Sequence, residues 1–217
     1  PDIIDYCLDL HSGANLISFY ALPDSSTIGN VMSSIDGFVT GVIGEGVATS
    51  PHQVLGWVGS ITNIDILSGY WVIVDDDCSL CINDALPINP AIEYDLHSGA
   101  NLISFPYEGS VDIGSGLPDD IEDSVSGIIG EGVATTNTDG VWIGSLPTFS
   151  GGKGYWMITT APISFSFDLG SLVRKKIDNS IALTYPDGYE IKQSTRQAFY
   201  FIEEITLNGV PISKEDW

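Results

Sequence analysis

The 217-residue sequence predicts a β-rich α+β fold of two homologous short-stranded modules followed by a β-rich C-terminal segment. Three observations predict it. Residues 9–19, DLHSGANLISF, recur unchanged as residues 95–105. Further landmarks return in the same order: IGEGVAT at 43–49 and 129–135, Trp57 and Trp142, Gly59-Ser60 and Gly144-Ser145, then Gly69-Tyr70-Trp71 and Gly154-Tyr155-Trp156. Between them lie short apolar runs broken by many of the 24 glycines, the pattern of short strands and turns. The offset is 86 residues for the first landmarks and 85 after a one-residue slip. That is long for a solenoid repeat, so each copy is a small domain or half of one pseudo-twofold unit.

The expected boundaries are residues 1–84 for the first module, 91–163 for the second and 164–217 for a C-terminal domain or incomplete domain, with the Pro-bearing stretch 85–91 as a linker. Residues 15–21 and 101–105 read as strands leaving a Ser-Gly turn. Ile28, Val31, Met32 and Ile35, spaced i, i+3, i+4, i+7, predict a short helix over 26–35, capped by Ser25, Ser26 or Thr27. In the second copy residues 117–125 take that place, with Pro118 and the following acids suiting a helix N-terminus. Residues 39–49, 54–61, 70–74 and 79–82 then read as strands, and 155–159 and 164–167 repeat the closing ones. In the tail, residues 205–207 and 210–212 flank Asn208-Gly209, a dipeptide that closes two-residue hairpins.

Charge excludes several partners. The chain carries 29 acids against 7 Lys+Arg, a formal net charge of -22, and no Lys or Arg precedes Lys153. Nucleic acid needs basic side chains to replace its counterions, so no nucleic-acid partner is expected. Anionic membrane surfaces are disfavoured for the same reason, and no apolar run is long enough for membrane insertion. Disorder does not follow, since 43% of the residues are hydrophobic. Pro1 is not an initiator Met, so removal of an upstream segment is expected.

Gly13-Ala14-Asn15-Leu16-Ile17-Ser18 with Leu67-Ser68-Gly69-Tyr70-Trp71, and Gly99-Ala100-Asn101-Leu102-Ile103-Ser104 with Gly152-Lys153-Gly154-Tyr155-Trp156, carry a resemblance. The pattern resembles the tandem "G-W-N-L-I-S … G-K-G-Y-W" modules of large secreted and surface proteins from environmental, marine-type bacteria. Ala14 and Ala100 replace the commoner Trp, and Leu67-Ser68 replaces Gly-Lys. The resemblance implies an extracellular or cell-surface setting and brings no agreed activity.

Candidate site residues follow from the repeat. His11 and His97 occupy the same place in both copies, two residues after Asp9 and Asp95. A Ser–His–Asp reading fails, because a strand puts Asp9 and His11 on one side and Ser12 on the other, and no G-x-S-x-G elbow is present. A structural, hydrogen-bonding His at the repeat turn is expected. Among Cys7, Cys78 and Cys81, one pair is expected to form a disulfide and the third thiol to stay free or buried; a Cys7 bridge would join the ends of the first module. The alternative is a Cys-Cys-His zinc site, although the single C-x-x-C lacks a second pair. Asp75, Asp76 and Asp77, and Asp119, Asp120, Glu122 and Asp123, read as solvated acidic faces, with calcium as the alternative. No cofactor is required. The Gly-Glu-Gly turns at 44–46 and 130–132 are too acidic for phosphate, and their Glu side chains are expected to accept backbone N–H groups.

Trp57, Tyr70, Trp71, Trp142, Tyr155 and Trp156 are the repeated aromatics. Because both copies keep them amid Gly turns, packing is the expected role. Tyr70 and Trp71 face opposite sides of a strand, so the alternative leaves at least one of each pair exposed for an interface or for stacking on a sugar. The expected function is a non-enzymatic extracellular structural or interaction module that self-associates into a fibre or surface layer, with itself or another surface protein as partner. The alternative is a carbohydrate-binding module that uses these aromatics on a polysaccharide.

Overall fold

The computed structural model describes residues 2–170 and the backbone of Thr206–Leu207 and Val210–Pro211. It is mostly β with little helix, and its two five-stranded antiparallel sheets are alike. In the first copy the elements are β1 (Ile4–Leu10), β2 (Gly13–Ile17), β3 (Ala21–Leu22), α1 (Ile28–Val31), a 3-10 turn (Ser33–Ile35), β4 (Val39–Gly44), β5 (Val47–His52), β6 (Gly56–Gly59), β7 (Tyr70–Val74) and β8 (Cys78–Pro87). The second copy has β9 (Tyr94–Leu96), β10 (Gly99–Ile103), β11 (Ser110–Asp112), α2 (Ile113–Gly116), α3 (Asp119–Glu122), β12 (Val125–Gly130), β13 (Val133–Thr138), β14 (Val141–Gly144), β15 (Thr148–Ser150), β16 (Tyr155–Thr159) and β17 (Ile163–Phe165). The sheets run β2-β7-β4-β5-β6 and β10-β16-β12-β13-β14. Strand β1 pairs with β8, and β9 with β17, so each copy is closed by its first and last strands. The chain divides into two compact units, Pro1–Asn179 and Ser180–Trp217, and both copies lie in the first.

Several boundaries differ from the sequence expectation for local reasons. Residues 39–49 are a hairpin rather than one strand, because Gly46 at φ +67° turns the chain back between β4 and β5. The strand expected at 15–21 ends at Ile17 and resumes as β3 at Ala21, and its counterpart β10 ends at Ile103. The stretch expected at 54–61 narrows to β6. The helix expected at 26–35 is one α-turn and one 3-10 turn, since Gly29, Asn30, Ser33 and Ser34 are weak helix formers. Its apolar stripe is buried as expected, but Thr27 at the N-cap makes no side-chain capping bond. In the second copy the helix at 117–125 shrinks to α3, and α2 precedes it unforeseen. The first three residues of the expected linker belong to β8, where Ala21 pairs with Pro87.

Each copy has its own core. Phe19, Met32, Ile35, Tyr70, Val72 and Leu80 centre the first. In the second, Phe105, Phe149 and Phe167 pack with centroids 5.0–5.8 Å apart, Phe105 and Phe149 stacked and Phe167 edge-on to both. This core extends past residue 163 through Phe165, Phe167 and Leu169. Burying one such ring is worth roughly 1.5–3 kcal/mol. In the other unit, Thr206 pairs with Pro211 and Leu207 with Val210, around the Asn208-Gly209 signal. The remaining expectations for the tail lie outside the described residues.

Candidate functional site

The repeated undecapeptide forms the junction between the copies, and nearly every one of its side chains has a fixed task. Asp9 accepts from Ser79 Oγ at 2.7 Å and Asp95 from Ser164 Oγ at 2.5 Å, tying the first strand of each copy to its last. Ser12 Oγ donates to Asp75 O and Ser98 Oγ to Thr160 O. Asn15 and Asn101 are buried. Each accepts the backbone N–H of its His at 2.9 Å and donates to that His carbonyl and to the Gly13 or Gly99 carbonyl. Phe19 and Phe105 anchor the segment in the two cores.

The rest of the motif is read by the opposite copy. Strands β2 and β10 are sheet edges, and such edges present unpaired N–H and C=O groups unless something covers them. Glu131, at the β12–β13 turn, accepts the Leu16 N–H at 2.9 Å with one oxygen and meets His11 Nε2 at 2.5 Å with the other. Glu45, at the β4–β5 turn, accepts the Leu102 N–H at 2.8 Å and meets His97 Nε2 at 2.6 Å. Gly154 N donates to Leu16 O at 3.1 Å and Gly69 N to Leu102 O at 3.0 Å. Ser18 Oγ donates to Lys153 O and Ser104 Oγ to Ile66 O, both at 2.6 Å. The glutamate, histidine and glycine contacts therefore each have a counterpart with the copies exchanged, the serine acceptors differ by two positions, and three separate landmarks of the repeat converge on one clasp.

Close approach explains the glycine before Tyr-Trp. A Cβ on Gly154 would lie 2.7 Å from Ile17 O, and one on Gly69 would lie 2.9 Å from Ile103 O. Both distances are shorter than a carbon–oxygen contact allows.

The clasp also fixes the state of the histidines. His11 Nδ1 lies 2.8 Å from Ser12 O and His97 Nδ1 2.8 Å from Ser98 O, while each Nε2 faces a carboxylate. The carbonyl and an ionised carboxylate only accept, so the imidazolium, with a hydrogen on each ring nitrogen, is the form that matches both. The Glu131 carboxylate, followed by the Ser12 carbonyl, raises the His11 pKa; the Ser98 carbonyl, followed by Glu45, raises that of His97. Burial pushes Glu131 upward, but His11, the Leu16 N–H and the Lys153 charge together hold it below the usual carboxylate range. Lys153 has Ser68 as its counterpart, so the two clasps differ in charge. In a stretch with no Lys or Arg before residue 153, His11 and His97 are the groups that, when protonated, set a positive charge against Glu131 and Glu45.

The other candidate residues fall in separate places. Tyr70 and Tyr155 are buried, and their hydroxyls accept the Asp65 and Ser150 N–H groups. Trp57 and Trp142 are half-buried beside Gly29 and Gly114 of the short helices, and Trp142 Nε1 donates to Glu122 at 2.9 Å. Trp71 and Trp156 are likewise half-buried, on the sheet faces turned away from each copy's core. There Trp71 lies between Leu16 and Ile43, and Ala48 follows Ile43 across the sheet. Trp156 lies between Leu102 and Ile129, followed by Ala134. Cys7 is bonded to Cys81 and Cys78 is a free thiol. Asp77 accepts the Ser12 N–H and Asp76 the Asp77 N–H. Asp119, Asp120 and Glu122 lie in α3 and Asp123 follows it. Among the described residues, no group of three or more His, Cys, Asp or Glu is arranged to hold a metal ion. Also among them, no helix is long and apolar enough to cross a membrane.

Gly69 and Gly154 carry the junction, and Asn15 and Asn101 brace the motif from within each copy, without having been candidates. The Glu45 and Glu131 carboxylates do accept backbone N–H groups, but from the opposite copy rather than from their own turn. The signal available in sequence was the lockstep recurrence of landmarks far apart within a copy. No protein-family model, curated protein or solved structure matches the chain.

Proposed function

We propose that the chain is a non-catalytic binding module of an extracellular or cell-surface protein, and that its ligand is a neutral polysaccharide lying on the outer sheet faces. One observation carries this reading: the two sheets present the same half-buried indole, Trp71 or Trp156, in the same register. Each indole is flanked by a partly exposed Ile, and small Ala48 or Ala134 lies one strand further out, so neither ring is overhung from that side. Ser50 and Thr136 supply hydroxyls in the neighbouring row, beside Val58 and Ile143. A flat apolar ring beside hydroxyls suits the C–H face and hydroxyl rim of a sugar. A net charge of -22 disfavours anionic polysaccharides. The disulfide and the resemblance to modules of secreted and surface proteins support the location.

Tryptophan fluorescence titrated with a panel of soluble neutral glycans tests this. A saturable change is expected, reduced by Trp71→Ala or Trp156→Ala and abolished by both. No change with any glycan sinks the reading.

A second reading, self-association into a fibre or surface layer, is favoured by the far edges of the sheets. Among the described residues β6 and β14 have no strand beyond them, and Val58, Val141 and Ile143 are exposed there. Val54 and Leu55, 84% and 71% exposed, tip the β5–β6 hairpin. Calcium or magnesium enters this reading by screening acidic faces. Sizing at low and high salt with either cation added tests it, and a strict monomer throughout sinks it.

A further inference from the structure

We propose that the junction is an exchangeable interface, through which the first module of one chain and the second module of another close the same clasp to form a two-chain assembly. The partner is a second copy of this chain. This deepens the self-association reading but uses the β2 and β10 edges rather than β6 and β14, and it is independent of sugar binding.

The contacts support it directly. The clasp is made by His11, Leu16, Ser18, Glu45 and Gly69 and their counterparts in the second copy, and none of these lies in the connector. A junction closed between chains therefore keeps every one of these bonds. What changes is the path of residues 88–93, between β8 and β9. Among the described residues this stretch is held by Ile88 N donating to Tyr20 O at 3.0 Å, Ser166 Oγ donating to Ala91 O at 3.1 Å, and local bonds to Asn89. Six residues reach about 20 Å when extended, and Pro90 fixes one φ and so favours a defined path.

An opened chain exposes two edge strands whose Leu16 and Leu102 backbone groups have lost their acceptors and donors. The surface that fits them best is the matching half of another chain. Because the contacts are the same, the balance between closed and exchanged forms is set by concentration. A short connector gives an effective concentration on the order of 1 mM, so the exchanged form grows as the chain approaches that value.

Two forms of the full chain, differing by a small mass tag, are mixed at ~1 mM and at a hundredfold lower concentration, then followed by native mass spectrometry. A mixed-mass dimer is expected at the high concentration, reverting slowly on dilution. Gly154→Ala weakens closed and exchanged junctions alike, so it is expected to speed interchange by roughly tenfold while leaving the dimer fraction within about twofold. Glu131→Gln keeps the backbone contacts and gives the same signature at smaller amplitude if the glycine variant folds poorly. Val58→Lys with Ile143→Lys, on the far edges, leaves the dimer intact. Absence of mixed species at both concentrations overturns the proposal. So does a large fall in dimer fraction in Gly154→Ala, or loss of the dimer in the far-edge variant.

Discussion

Adding one methyl group to the junction tests whether the clasp holds the copies together. Gly154 and Gly69 both have ordinary φ values, so alanine there brings no backbone strain and its effect is one of space. The new Cβ at 154 would sit 2.7 Å from Ile17 O and 3.1 Å from Leu16 Cδ1. The carbonyl is backbone and moves only if the Ile17–Lys153 bridge opens. Overpacking of this kind costs roughly 1–3 kcal/mol. Loss of the Gly154 N to Leu16 O hydrogen bond adds about 1 kcal/mol. Alanine stiffens the unfolded chain and returns about 0.4–1 kcal/mol. The net is about 1–3 kcal/mol, less at Gly69, where one of the two atoms at 2.9 Å is the movable end of Leu102. With a urea m-value near 2 kcal/mol/M, the midpoint falls by about 0.5–1.5 M. Urea titrations followed by tryptophan fluorescence and by far-UV circular dichroism check this. In the double variant the two probes should separate as the modules begin to unfold independently. A wild-type midpoint for Gly154→Ala would mean that Ile17 O does not press on residue 154.

Three further outcomes follow from the same contacts. Asn101→Ala removes the acceptor for the His97 N–H and the donor for the His97 and Gly99 carbonyls, and thermal unfolding should show a loss of about 1–3 kcal/mol. With pH, the raised pKa of His11 and His97 gives stability that is full below the ordinary histidine value and is lost as pH rises through the folded values. The lowered pKa of Glu131 gives stability present above the ordinary carboxylate value and lost as pH falls through its folded one. Denaturation midpoints across pH should form a plateau between the two limbs, and His11→Gln with His97→Gln should flatten the alkaline limb; an unchanged limb would count against the clasp. The Cys7–Cys81 bridge closes a separation of 74 residues, so Cys7→Ser should lower stability by up to ~4 kcal/mol in the chain-entropy model. Limited proteolysis should then cut within the first copy before the second, which has no disulfide.

The duplication, the β-rich class and the closing strands at 70–74 and 155–159 were legible because they rest on identity and local alternation. The helix was less so, because Ile28, Val31, Met32 and Ile35 were read correctly as a buried stripe while glycine and serine limited its length. Strand ends at Ile17 and Ile103 were set by the opposite copy, whose 152–154 and 67–69 segments take over the hydrogen bonding there. No local pattern records such a boundary. The same holds for Glu45, whose partner His97 lies 52 residues away in another module. The division of labour between Tyr70 and Trp71 was readable from strand alternation alone.

Trans-recognition at the Gly-Glu-Gly turns leads to a counting rule. Each copy supplies one glutamate turn and one bare strand edge, and each needs the other's. Two copies satisfy all four, whereas a single copy or a third in tandem would leave an edge uncovered, with a histidine and a glutamate lacking their mates. Substitutions at His11, Glu45 and their counterparts must accordingly be matched in the other module, whereas Asp9, Ser12 and Asn15 answer to their own, so the clasp positions tie the drift of the two halves together. Positions outside the clasp escape this coupling: Tyr20 stands where the second copy has Pro106. Arrays of this module are therefore expected to grow in pairs.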